Sequence, residues 1–158
     1  MINNIVIYDA VTETDIFTVK ELFNEYAKSL NFDLCFQGFD EELNELPGKY
    51  SPPDGILLLV KYDEKIAGCI ALRKLETSIC EMKRLFVRPD FRGHGIGKIL
   101  CNELISRAKQ IGYKKMRLDT IKEQMKDAIK LYKSYGFYEI KSYYHNPQEG
   151  VVYMELNL

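Results

Sequence analysis

The chain has 158 residues, 46% of them apolar and 28% charged, with a formal net charge of −1. That length makes one domain able to bury a single sizeable core, and the scattered, near-neutral charge excludes a nucleic-acid module, which carries a basic face. Four separated cysteines (Cys35, Cys69, Cys80, Cys101) and two histidines (His94, His145) give neither a Cys-x-x-Cys pair nor a zinc set. They read as free thiols of a reducing compartment. No apolar run reaches membrane-spanning length and the start has no signal-like core, so a cytoplasmic protein with no membrane or nucleic-acid partner is expected.

Residues 2–8 read as a first strand, and residues 12–30 as an amphipathic helix with Ile16, Val19, Leu22, Phe23, Tyr26 and Leu30 on one face. Thr12 and Asp15 have capping-box spacing at its start. Residues 31–53 are aromatic-rich and poorly periodic, with a short helix over 40–46 and breakers at Pro47-Gly48 and Pro52-Pro53. Strands follow over 56–62, 66–73 and 79–87, joined by short polar turns, which favours an antiparallel meander. A helix over 95–111 then crosses to a strand over 115–120, and a strand-helix-strand unit of that kind favours parallel pairing with the strand ending at Val87. A helix over 123–135 and strands over 137–144 and 151–156 complete the order. One α/β (α+β) domain is expected, with a mixed central sheet of six to seven strands and about four helices.

The densest signal is residues 81–98. A strand from Glu81 to Val87 is stopped by Pro89, and Gly93, Gly95 and Gly97 alternate with larger residues just where helical periodicity begins. A glycine-rich turn at a helix start points free amides at one spot where the helix dipole is positive, a site for phosphate or pyrophosphate. Arg92 and Lys98 flank it. A Walker loop does not fit, because Gly93 is too close to Gly97 and Ile99 follows the lysine. A dinucleotide fingerprint does not fit either, because the glycines run Gly-x-Gly-x-Gly. A nucleotide switch is therefore disfavoured.

The motif that does match is Arg-x-x-Gly-x-Gly at Arg92-Gly93-His94-Gly95-Ile96-Gly97 with Leu85-Phe86-Val87-Arg88-Pro89 before it. Together with Ala128-Ile129-Lys130-Leu131-Tyr132-Lys133-Ser134-Tyr135-Gly136-Phe137, it resembles the GNAT superfamily of N-acetyltransferases. The resemblance is specific over residues 55–140. It implies an acetyl-CoA-dependent N-acetyltransferase acting on a primary amine of a small molecule or peptide, without a metal, as a monomer or homodimer. A non-catalytic acyl-CoA binding or sensing module is the alternative.

By the same resemblance, the main chain of Leu85, Phe86 and Val87 holds the pantetheine arm. Arg92, Gly93, His94, Gly95, Ile96, Gly97 and Lys98 hold the pyrophosphate. Tyr132 matches the family tyrosine that protonates the departing thiolate, and Glu81 matches a glutamate that some members use as base, directly or through water. Tyr135 is expected to pack. Asp33, Phe36 and Tyr144 lie in segments that wall the acceptor groove in this family. Met125 stands where many relatives have an asparagine that contacts the coenzyme, so that contact is missing or supplied elsewhere.

Overall fold

A computed structural model describes residues 4–30, 34, 38–123 and 125–158. Strand β1 (Ile5–Asp9) leads into helix α1 (Glu13–Ser29) through the expected capping box. The Asp15 amide donates to Thr12 Oγ1 at 3.0 Å, and the Thr12 amide donates to Asp15 Oδ2 at 3.2 Å. A short helix α2 (Phe39–Glu45) precedes β2 (Ile56–Tyr62), β3 (Lys65–Glu76) and β4 (Ile79–Val87), which form the meander. Then come α3 (Ile96–Ile111), β5 (Lys115–Ile121), α4 (Lys126–Tyr135), β6 (Tyr138–Ile140) and β7 (Val151–Asn157).

The described strands make one sheet in the order β1-β2-β3-β4-β5-β7-β6, antiparallel except between β4 and β5. Both faces are covered, so β2 reads as a continuous apolar run rather than an alternation. Leu58, Val60, Ile70 and Leu72 pack with Ile96, Leu100 and Leu104 of α3 and with Tyr132 of α4. Leu57, Leu59, Cys69 and Ala71 point the other way, onto Val19, Leu22 and Phe23 of α1 and Phe39 of α2. Among the described residues, no helix is long and apolar enough to cross a membrane.

Among the described residues, three boundaries differ by three or more residues from the sequence-based expectation; β3, expected to end at Arg73, runs on to Glu76. The strand expected over 137–144 ends at Ile140, and residues 141–150 run irregularly across the sheet face. Tyr143 and Tyr144, strand formers by propensity, instead send their hydroxyls to Glu81 and Asp119. The last helix starts at Lys126 rather than at 123, after a turn that follows the end of β5.

One irregularity in β4 shapes the site. Between the pairs Cys69↔Phe86 and Ala71↔Lys83 the register slips, so β4 carries an extra residue, and Arg84 there has φ +59°. A bulge of this kind bends a strand and re-aims its side chains. Just beyond it, Gly68 of β3 lies so close to β4 that a Cβ would sit 2.3 Å from the Phe86 carbonyl oxygen. Gly68→Ala therefore has to displace backbone, and a loss of about 1–3 kcal/mol of stability is expected in chemical denaturation. A wild-type midpoint for that variant would mean that β4 yields freely there.

Candidate active site

Strands β4 and β5 pair only at Ile79↔Lys115, Cys80↔Met116 and Glu81↔Arg117. Beyond that point they diverge, although β4 runs on to Val87 and β5 to Ile121. The fork opens a cleft of about 540 Å³. Its walls include Lys83, Arg84, Leu85, Phe86 and Val87 from β4, Leu118, Asp119 and Thr120 from β5, Tyr26 from α1, and Leu131 and Tyr132 from α4. The unpaired edge of β4 offers main-chain groups to an extended ligand in the manner of strand addition.

The glycine turn closes one end of the cleft, where Arg92 and Gly97 join the lining. Gly93 and Gly95 have φ of +86° and +75°, a region that non-glycine residues avoid. Gly95 caps α3 without a side-chain hydrogen bond, and no acidic residue occupies the helix's first turn. The first helical bond runs from the Ile99 amide to the Gly95 carbonyl, leaving the amides of Ile96, Gly97 and Lys98 as terminal donors. An acid-free, uncapped helix start of this kind fits a pyrophosphate.

Flanking contacts hold the turn in place. Arg92 Nε donates to the Val87 carbonyl at 3.0 Å, and the His94 ring lies 4.7 Å from that of Tyr62 on β2. Tyr135, expected only to pack, also donates its hydroxyl to the Lys98 carbonyl at 2.9 Å, tying α4 to the first turn of α3.

Tyr132 belongs both to the core and to the cleft wall: it is 7% exposed and its ring meets Phe137 at 5.7 Å. Burial pushes its phenol well above the ordinary tyrosine range, with the neighbouring Cys101 adding to the effect. The hydroxyl therefore stays protonated wherever amines are free to react. Met125 also lines the cleft, so the position of the family asparagine contributes thioether surface in its place.

Glu81, expected as the base directly or through water, sits behind the cleft wall. It is 1% exposed and does not line the cleft. Its Oε1 accepts from Arg73 Nε at 2.8 Å and its Oε2 from the Tyr143 hydroxyl at 2.6 Å. Arg73 is its cross-strand neighbour in register, so the pairing follows from the β3–β4 alignment. Both carboxylate oxygens are thus engaged by side chains of neighbouring elements, behind the cleft wall.

Asp119 is the carboxylate on the inner wall of the fork. It is half-buried and accepts hydrogen bonds from the Tyr144 hydroxyl and from Asn146 Nδ2, the latter at 2.9 Å. Burial, then Asp119 itself, push the Tyr144 phenol above its usual range, so Tyr144 remains a donor to the carboxylate. Tyr144 thus reaches the site through Asp119 rather than as an open stacking surface. Asp33 and Phe36 lie outside the described residues; Leu34, between them, is buried against the cleft.

Sequence reasoning missed Asp119, Lys83 and the pair Arg84–Glu42, in which Arg84 Nε and Nη2 both donate to Glu42 at 2.9 Å. The available signal was charge in the middle of strands covered on both faces, where ionised groups are rarely placed without a partner or a task.

Comparison with known proteins agrees with this geometry. The profile of the family described as "Acetyltransferase (GNAT) family" matches residues 19–137. An uncharacterized N-acetyltransferase of Schizosaccharomyces pombe is 40% identical, the match covering 99% of this chain and 96% of that protein. A GNAT-family acetyltransferase from Staphylococcus aureus Mu50 superposes with a TM-score of 0.79 at 23% identity, covering 98% of this chain and 99% of that one. The PaiA N-acetyltransferase from Thermoplasma acidophilum, solved in complex with coenzyme A, superposes with a TM-score of 0.73 at 21% identity over 98% of this chain and 99% of that one.

Proposed function

The chain belongs to the GNAT acetyltransferase family, and from that premise we propose that it transfers an acetyl group from acetyl-CoA to a primary amine of a small molecule or peptide, within the fork between β4 and β5. The observation that carries this reading is the cleft itself. One set of walls brings together an uncapped glycine-rich helix start, an unpaired strand edge, a protonated phenol and a carboxylate.

The roles follow from position. The amides of Ile96, Gly97 and Lys98, with Arg92 beside them, take the pyrophosphate. Main-chain groups of Leu85, Phe86 and Val87 align the pantetheine arm, and an amide of that edge polarises the thioester carbonyl. Asp119 receives a proton from the acceptor's ammonium, after which the amine nitrogen bonds to the carbonyl carbon and the carbon–sulfur bond breaks. Tyr132 supplies a proton to the departing sulfur and is restored by the second proton, which the nitrogen sheds as the amide forms. Tyr144 and Asn146 orient Asp119, while Glu81 fixes Tyr143 and Arg73 behind it.

Tyr132→Phe tests the assignment most cleanly, because it keeps the ring against Phe137 and deletes only the hydroxyl. Turnover is expected to fall about tenfold to a hundredfold, with acetyl-CoA affinity and melting temperature close to wild type. The thiolate is a fairly stable leaving group, which keeps the effect below that of losing the base. Full turnover under conditions where chemistry limits the rate would make Tyr132 a core aromatic only.

A further inference from the structure

Lys83 has no role in the chemistry above, yet it lines the cleft. It stands two residues past Glu81, and Asp119 stands two residues past Arg117, the last pair before the fork opens. By the two-residue period of strands, both side chains rise from the same face at the same level, one on each arm. Paired strands lie about 4.8 Å apart, so at this level the gap is somewhat wider. A small molecule between the arms therefore meets a cation on one side and a carboxylate on the other.

The nearby charges hold this arrangement in place. Arg84 is fixed by its two bonds to Glu42, and Glu81 by Arg73 and Tyr143. Lys83 Nζ lies 3.9 Å from Glu81 Oε1, and its side chain is only 11% exposed. Burial first, then the adjacent Arg84 guanidinium, lower its pKa to about 8, while Glu81, Asp119 and Glu42 act the other way. A further anion at Nζ stabilises the charged ammonium, since an opposite charge at contact favours the ionised form.

We propose that the acceptor is a free α-amino acid, its ammonium on Asp119 and its carboxylate on Lys83. The proposal rests on the acetyltransferase reading and narrows its acceptor class. A peptide N-terminus carries an amide in place of the α-carboxylate, and so forgoes the charge-assisted contact with Lys83.

The test compares kcat/KM, with saturating acetyl-CoA, for a panel of common α-amino acids against their α-amides. The best amino acid is expected to exceed its amide by at least about tenfold, as for loss of one charge-assisted hydrogen bond. That order runs against nucleophile supply, because the amide's amine is less basic and more of it is free. In Lys83→Met, which keeps the aliphatic stem, the ratio of kcat/KM for acid over amide is expected to fall to about one through a rise in the amino-acid KM. The comparison of acid and amide in the wild-type protein decides the matter even if that variant folds poorly. Amides equal to or better than acids overturn the proposal alone and favour a peptide N-terminus or simple amine. No acetylation of any amino acid or amide in the panel also overturns the proposal, and the acetyltransferase reading falls with it only if simple amines and diamines release no thiol either.

Discussion

Asp119→Asn is expected to lower kcat/KM by about two to three orders of magnitude at neutral pH, the usual scale for loss of a general base. Asparagine keeps the shape of the side chain, so the surrounding fold should persist. What is lost is the ability to receive a proton from the acceptor's ammonium and to attract that ammonium into the fork. The pH dependence fixes the sign. As pH rises, more amine is free in bulk solution, so the variant needs the base less and its defect shrinks. Glu81→Gln should behave differently: it weakens a buried pair with Arg73 and a bond from Tyr143, so it lowers thermal stability without a pH-dependent rescue. If Asp119→Asn matches wild type from low to high pH, Asp119 is not the base.

Gly95→Val is the second large effect. An added Cβ at Gly95 meets no atom within 4 Å, so no packing clash opposes the substitution. The penalties are local. A β-branched residue at φ +75° costs about 1–2 kcal/mol of backbone strain, and relief of that strain shifts the turn that presents the terminal amides of α3. Each charge-assisted bond from amide to phosphate is worth about 1.5–3 kcal/mol. Losing one of them weakens acetyl-CoA binding by about tenfold to a hundredfold, as isothermal calorimetry would read it. Unchanged affinity would place the pyrophosphate away from this turn.

These two predictions come from halves of the site that differ in how much the sequence reveals. The coenzyme half is written locally. Glycines at Gly93 and Gly95 require special φ values, and the apolar spacing after Ile96 announces the helix they open, so a short window carries the geometry. The parallel pairing of β4 with β5 was equally legible, because a helix joined the two strands.

The acceptor half is assembled from distant pieces. Asp119 on β5 gains its meaning only when Tyr144 and Asn146 arrive from residues 141–150, a segment whose tyrosines read as strand. Glu81 was a reasonable base by motif. Its place behind the cleft depends on Arg73 lying opposite in register and on Tyr143 reaching it from the far end of the chain. No periodicity encodes contacts of that separation. The bulge at Arg84 was hidden for the same reason, since the contacts around it, the bond to Glu42 and the close approach of Gly68 to Phe86, come from other elements.

The central claim is acetyl transfer to an amine within the β4–β5 fork, and the most direct measurement follows both products at once. Free thiol is titrated while the acceptor is analysed by mass spectrometry, with the wild-type protein, acetyl-CoA and a broad panel of amino acids, amino-acid amides and diamines. One acetylated amine per thiol released is the expected result, at a rate that Tyr132→Phe reduces without loss of acetyl-CoA binding. Tight acetyl-CoA binding with no thiol release for any amine would contradict it, and would make the fork a binding or sensing site.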